Sequence, residues 1–185
     1  MESQGITLPV TACHPESSDK LAAFERIMAR SERSIVRVAL RLLNNAEDAQ
    51  DAAQEVFLRL YKHFGSLDET LGYEPWLFRV TVNVCRDIAR SRRRVVALER
   101  APDPASLPAA PGEIERAQQR ELVRRALSRL GEKERAAIVL RDVEGFSTRE
   151  VAGILGSSEA TVRSQISTGR LKMREFVGRW LRRQS

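Results

Sequence analysis

The chain has 185 residues, enough for one ordinary domain or two small ones, and 42% of them are apolar, enough for real cores. No apolar run approaches the ~20 residues that a membrane span needs, and MESQGITLPVTACHPESSDK (residues 1–20) lacks the basic-then-apolar order of a signal peptide. The expectation is a soluble, cytoplasmic protein with no membrane insertion of its own. Net charge is +6, unevenly spread: residues 116–185 hold 16 Lys/Arg against 8 Asp/Glu, and residues 19–94 hold 14 against 11. A basic C-terminal third suits a polyanionic partner, and equally a solvated basic surface. Cys13 and Cys85 are too few for a disulfide framework, and Cys13-His14 lacks a second pair for a metal site, so no metal and no cofactor is expected.

Strand-like alternation is nearly absent, and an all-α reading follows. Residues 1–18 read as a polar tail. A first helix is expected from an N-cap at Ser18 or Asp19, through Phe24, Ile27, Met28, Ile35, Val38, Leu42 and Leu43, with a possible break near Ser31 and an end at Asn44-Asn45. From Glu47 to Phe64 runs a helix with Ala49, Ala52, Ala53, Val56, Phe57 and Leu60 on one face and Asp48, Asp51 and Glu55 opposite. After a polar loop, Gly65 to Glu74, a helix opens with Pro75 and runs to about Arg94. It carries Leu77, Val80, Val84 and Ile88 on one side and Arg79, Asn83, Arg86, Arg90 and Arg93 on the other. An acidic helix beside a basic one suggests two partners, a basic protein surface and a nucleic acid. Residues 99–113 contain four prolines and read as an extended linker, an inert tether on composition alone.

A second helical unit begins near Glu113, with core positions Leu122, Leu127, Leu130, Ile138, Val139, Leu140 and Val143. Ser147 can cap a helix in a capping box with Glu150, Gly156 can end it, and Ser157 or Ser158 caps the next helix at once. Two helices joined by such a turn make a helix-turn-helix. In the second helix Val162, Ile166, Gly169 and Met173 face the domain, while Ala160, Arg163, Ser164, Ser167 and Thr168 face outward where a recognition helix meets base edges. Arg163 could fork onto a guanine, whereas Arg149, Arg170, Lys172 and Arg174 suit phosphates. A plain helical hairpin with a solvated face is the bland alternative.

NNAEDAQDAAQEVFLRLYK (44–62), PWLFRVTVNVCRDIAR (75–90) and LSRLGEKERAAIVLRDVEGFSTREVAGILGSSEATVRSQ (127–165) together resemble the extracytoplasmic-function (ECF) group of the sigma-70 family of bacterial RNA polymerase sigma factors. The resemblance covers about residues 20–94 and 116–176. It implies a sigma2-like helical bundle over 19–95, a Pro-rich flexible linker over 96–115 and a sigma4-like helix-turn-helix domain over 116–185. By the same resemblance, Asp48, Asp51, Gln54 and Glu55 would dock on the clamp helices of the polymerase's largest subunit, with Ala52, Val56 and Phe57 holding their helix in place. Trp76, Arg79, Asn83, Arg86, Arg90 and Arg93 would handle the −10 element. Trp76 either stacks on DNA or anchors its helix. Arg149, Ala160, Arg163, Ser164, Ser167, Thr168, Arg170 and Lys172 would serve the −35 element. Leu127, Leu130, Ile138 and Leu140 would meet the flap of the second-largest subunit, unless they are core.

An anti-sigma factor is a further expected partner, and no enzymatic activity is expected. One departure from the family is the stretch Gln165 to Arg170, poorer in cations than in many relatives. Its Gly169 carries a helix penalty of ~1 kcal/mol relative to Ala. Two rival readings remain at this level. One is a helix-turn-helix regulator that acts without being a polymerase subunit, and the other is a helical adaptor that never meets DNA.

Overall fold

The computed structural model describes the backbone of residues 15–64, 72–96 and 113–183, and the side chains of 20–64, 72–92 and 116–183. The residues expected as a polar tail (1–14 of 1–18), a loop (65–71) and most of a linker (97–112) lie outside the described residues, as do Cys13 and His14. Among the described residues every regular element is a helix.

Helix α1 spans Pro15–Leu43 without a break at Ser31, and it starts three residues before the expected Ser18 cap. Proline suits a first turn, since the N–H it lacks would have no intrahelical partner there. Asn44 ends the helix in the left-handed region (φ 57°), donating its N–H to Leu40 O at 2.8 Å. Asn45 caps α2 (Ala46–His63) by accepting from Asp48 N at 2.9 Å. Two residues thus reverse the chain, and α1 and α2 pack as an antiparallel pair through Ile35, Val38 and Ala39 against Ala49, Ala52, Val56 and Leu60. The small Ala49, Ala52 and Ala53 let the axes approach. At the far end of the pair, Phe24 meets Tyr61 and Phe64 edge-on at 5.5 and 6.0 Å.

Helix α3 (Glu74–Val96) lies across this pair. Leu77 and Val84 are buried as expected, while Val80 and Ile88 are only half-buried. Phe78, Thr81, Val82 and Cys85 are buried as well. Phe78, Val82, Cys85 and Ala89 recur at i, i+4, i+7 and i+11, so they form a second apolar stripe about 100° around the helix from the first. Thr81, which has no apolar role, gives its hydroxyl proton to Leu77 O at 2.7 Å.

The second half contains α4 (Glu113–Ser128), α5 (Glu132–Ile138), a π-helical turn (Val139–Val143), α6 (Thr148–Leu155) and α7 (Glu159–Leu181). The turn is closed by Glu144 N donating to Val139 O at 3.0 Å and Phe146 N to Leu140 O at 3.1 Å, one and two residues wider than an α-turn. That widening turns Val143 outward to 40% exposure, although the sequence pattern reads it as core. Leu122 is half-buried for a different reason, its place on α4 at the periphery. Leu127, Leu130, Ile138 and Leu140 are all buried among Val151, Val162 and Ile166. They cannot meet a polymerase flap, and their apolar character is explained by the core.

The two halves do not stand apart. The buried residues of both form one continuous cluster. Across the seam Phe78 meets Phe146 edge-on at 4.8 Å, Arg135 Nη1 donates to Leu42 O at 2.7 Å, and Arg124 Nη1 donates to Asn44 Oδ1 at 2.9 Å.

Candidate functional site

Three charged faces stand out, each on a different helix. On α2 the first turn carries Glu47 and Asp48, which face a favourable dipole end. Asp51 and Gln54 are exposed, and Glu55 is half-exposed and takes a hydrogen bond from Arg59 Nε at 2.7 Å. Asp48 is different: Arg92 of α3 reaches across and pairs with it. The expected set is therefore brought onto one helix, but only Asp51, Gln54 and Glu55 face away from the rest of the chain.

On α3 the basic stripe lies beside the second apolar stripe. Asn83 and Arg90 are exposed. Arg79 donates from Nη2 to Gly153 O of α6 at 2.6 Å, and Arg86 Nε lies 3.4 Å from Glu132 Oε1 of α5. Both cations thus answer groups of the second half. Trp76 is half-buried against the core, with its ring centroid 6.2 Å from that of His63. Arg93 lies on α3, beyond the residues whose side chains are described.

The helix-turn-helix forms as its local signals require. Ser147 Oγ accepts from Glu150 N at 3.2 Å and Glu150 Oε2 accepts from Ser147 N at 2.7 Å, closing the capping box. That reciprocal pair holds the Glu150 carboxyl below its ordinary range. Gly156 ends α6 in the left-handed region (φ 60°), and Ser158 caps α7 by accepting from Thr161 N at 3.1 Å.

On α7, Ala160, Arg163, Ser164, Ser167 and Thr168 are all exposed, and Arg149 is exposed on α6. Arg163, Ser167, Arg170 and Arg174 line a shallow concavity with Arg141 and Thr148. Arg163 is steadied by Glu159 at 2.8 Å, and Arg170 donates to both carboxylate oxygens of Asp142 at 3.0 and 2.5 Å. This fork raises the Arg170 pKa above its ordinary value and fixes where the guanidinium points. Lys172 stands apart, on the far side of α7, held by both oxygens of Glu134 at 2.7 and 2.8 Å. It lines a different groove with Arg129 and Phe176.

Gly169 turns out to be required. A Cβ there would sit 2.9 Å from Ile138 Cγ1 and 3.3 Å from its Cδ1, so the bare backbone is what lets α7 lie against α5. Sequence reasoning also missed the second stripe of α3, whose signal is the recurrence of Phe78, Val82, Cys85 and Ala89. Among the described residues, no three His, Cys, Asp or Glu side chains gather as metal ligands, and no helix is long and apolar enough to cross a membrane.

Comparison with known proteins follows the same division. Residues 27–95 match the family described as Sigma-70 region 2, and residues 120–173 match Sigma-70, region 4. The fold is similar to that of RpoE from Bartonella quintana, solved in complex with the anti-sigma factor NepR. Its TM-score is 0.72 at 23% identity, covering 84% of this chain and 97% of that one. It is also similar to CnrH, solved with the cytosolic domain of CnrY, with a TM-score of 0.66 at 25% identity, covering 87% and 91%. Two sigma-70 regions in this order define a sigma factor of the two-region type.

In sequence, the chain is 34% identical over 159 residues to the ECF RNA polymerase sigma factor SigM of Mycobacterium tuberculosis, spanning 84% of this chain and 78% of that protein. It is 32% identical over 157 residues to the RNA polymerase sigma factor CarQ of Myxococcus xanthus, spanning 84% and 90%. The chain belongs to the ECF group of RNA polymerase sigma factors, proteins that bind core polymerase and direct promoter-specific transcription initiation. This is not a class of enzymes.

Proposed function

We propose that the three charged faces divide the work of initiation. Residues 19–95 form the sigma2-like part, 96–115 the connection and 116–185 the sigma4-like part. Asp51, Gln54 and Glu55 of α2 meet the basic clamp helices of the largest polymerase subunit, and Asp48 contributes when it leaves Arg92. Arg79, Asn83, Arg86, Arg90 and Arg93 of α3 hold the opened −10 strand, cations on phosphates and the amide on an unstacked base, with Trp76 at their edge. Arg163 reads a −35 base in the major groove, with Ala160, Ser164, Ser167 and Thr168 beside it. Arg149, Arg170 and Arg174 grip phosphates, while Lys172, on the far side of α7 and held by Glu134, takes no part in that grip.

The observation that carries the reading is the convergence of Arg163, Arg170 and Arg174 with Arg141 on one outward side of a capped helix-turn-helix. The second half also meets the polymerase flap, through residues other than the buried Leu127, Leu130, Ile138 and Leu140. An anti-sigma factor, such as the one bound to the similar RpoE, would cover the polymerase-facing surfaces. The protein works in the cytoplasm on the nucleoid and catalyses no reaction of its own.

Transcription reconstituted with core polymerase tests this. Specific transcripts are expected only when this chain is added, and Asp51→Arg with Glu55→Arg should abolish them together with core binding. Tight operator binding by the isolated chain, with no binding to core, would replace the reading with that of an ordinary regulator.

A further inference from the structure

Two arginines of the outward face of α7 are braced in different ways. Arg163 is held by Glu159, four residues back on the same helix, in a pair whose side chains are both exposed. Arg170 is held from another element: Asp142, 28 residues before it in the π-helical turn, accepts from Nε at 3.0 Å and from Nη2 at 2.5 Å. A brace within α7 moves with α7, whereas the Asp142 fork fixes Arg170 relative to the body of the second half. A guanidinium carries five N–H donors in a planar array. Two of them go to Asp142, which leaves one proton on Nη2 and two on Nη1 as a second bidentate edge of fixed direction. The Arg170 side chain is 55% exposed and that of Asp142 only 30%, so the guanidinium stands outermost, on the concavity it lines with Arg141, Arg163 and Arg174.

We propose that Asp142 sets specificity at the −35 interface, by making Arg170 a contact that only correctly seated DNA can use. The proposal rests on the assignment of α7 to the −35 element and of Arg170 to a phosphate. A lone guanidinium attracts every phosphate near it through a field that falls as the inverse of distance. Beside a carboxylate the two charges cancel at long range, and the dipole that remains loses its pull much faster. In loose, water-separated binding to an arbitrary sequence, Arg170 therefore contributes almost nothing. When α7 is seated in the major groove, the outer edge of the guanidinium meets a phosphate at hydrogen-bond distance. The fork has already fixed the side chain, so little further freedom is lost on contact. Asp142 thus weakens loose binding and leaves seated binding intact, which widens the ratio between the two that a promoter search depends on.

Holoenzyme assembled from core polymerase and the full chain tests this on two duplexes. One is recovered from random sequence by the parent holoenzyme, and the other is the same duplex with its −35 element scrambled. Asp142→Asn keeps an acceptor for Arg170 and removes the charge. It should tighten binding to the scrambled duplex by roughly fivefold and steepen its salt dependence by about 0.9 in log–log slope, one further phosphate contact, while changing the selected duplex by less than about twofold. Asp142→Ala removes the aim as well as the charge, so it should also weaken binding to the selected duplex by roughly threefold or more. Asp142→Glu restores the charge and should return the salt slope to that of the parent. A residue that merely supports the fold would leave every slope where it was.

Circular dichroism establishes that each variant folds. An unchanged slope and an unchanged ratio between the duplexes in Asp142→Asn overturn the proposal. Equal weakening of both duplexes overturns it too, and makes Asp142 a structural residue. Arginine variants separate these failures from failure of the assignment beneath them. If Arg170→Ala still weakens the selected duplex, α7 remains the −35 element and Asp142 alone loses its role. If Arg163→Ala and Arg170→Ala both leave the two duplexes unaffected, the assignment of α7 itself is lost.

Discussion

A methyl group at position 169 would land 2.9 Å from Ile138 Cγ1, closer than real Cβ contacts allow, and the neighbour is itself locked in the core. On helix propensity alone Gly169→Ala should stabilise α7 by ~1 kcal/mol. Packing reverses the sign. Overfilling a tight core costs about 1–3 kcal/mol, so Gly169→Ala should lower the urea midpoint, and Ile138→Val in the same chain should restore part of the loss. Additive effects of the two changes would show that the contact does not matter. A second residue-scale effect concerns acid. Hydrogen bonds from Arg124 and Arg125 pull the Glu121 carboxyl down to about 2, against 4.5 ordinarily. A depressed carboxylate adds stability that is complete above its unfolded pKa and disappears as pH falls through the folded one. Glu121 therefore contributes above pH 4.5 and is lost toward pH 2. Because a third of its side chain meets water, the contribution is below about 1 kcal/mol. Glu121→Gln should flatten the acid limb of the stability curve over that window and lower the neutral plateau by less than about 1 kcal/mol. An acid limb identical to the parent's would remove Glu121 from the account.

At the scale of elements, α6 and α7 behave as their caps dictate. Ser147→Ala removes one oxygen from a reciprocal pair and should cost about 1 kcal/mol, read as faster amide exchange in the first turn of α6. The two arginine roles proposed for α7 separate in the same way. Arg163→Ala should relax discrimination at one −35 position by about 1–3 kcal/mol. Arg174→Ala should weaken all sequences alike and reduce the salt slope of DNA binding by about 0.9. Equal losses on every sequence from Arg163→Ala would make it a phosphate contact. Much of this region was legible in the sequence, because Ser147, Glu150, Gly156 and Ser158 act on neighbours three or four residues away. The inward set Val162, Ile166 and Gly169 was legible for the same reason. What escaped is long-range. The lone-stripe reading of α3 missed Phe78, Val82 and Cys85 because their partners lie some 50 residues further on or more, in a half that local periodicity treats as separate. The occupation of Asp48 by Arg92 likewise depends on what faces it. Val143 was misplaced because a wide turn breaks the 3.6-residue count.

For the whole molecule the seam sets the expected cooperativity. Halves that share one buried cluster should unfold together, as a single transition seen alike by near- and far-ultraviolet circular dichroism. Glu144→Gln should lower that transition and bring the two halves toward separate melting, and a parent chain that already melts in two steps would contradict a shared core. The π-helical turn Val139–Val143 ties the surfaces together more tightly than distance suggests. Asp142, which aims Arg170 outward, lies in that turn, and Glu144, which grips Arg37, follows it directly. Their directions follow from the number of residues in the turn as much as from their identities. Deleting one residue there would return the backbone to ordinary helical winding, leaving the flanking helix near its register but taking from Asp142 and Glu144 the separate directions that the wide turn gives them. Point substitutions can adjust the DNA face and the seam one at a time, whereas a one-codon deletion would disturb both at once. Chain length in this turn is therefore a heritable trait in its own right, and related chains of different length here should differ in both properties together.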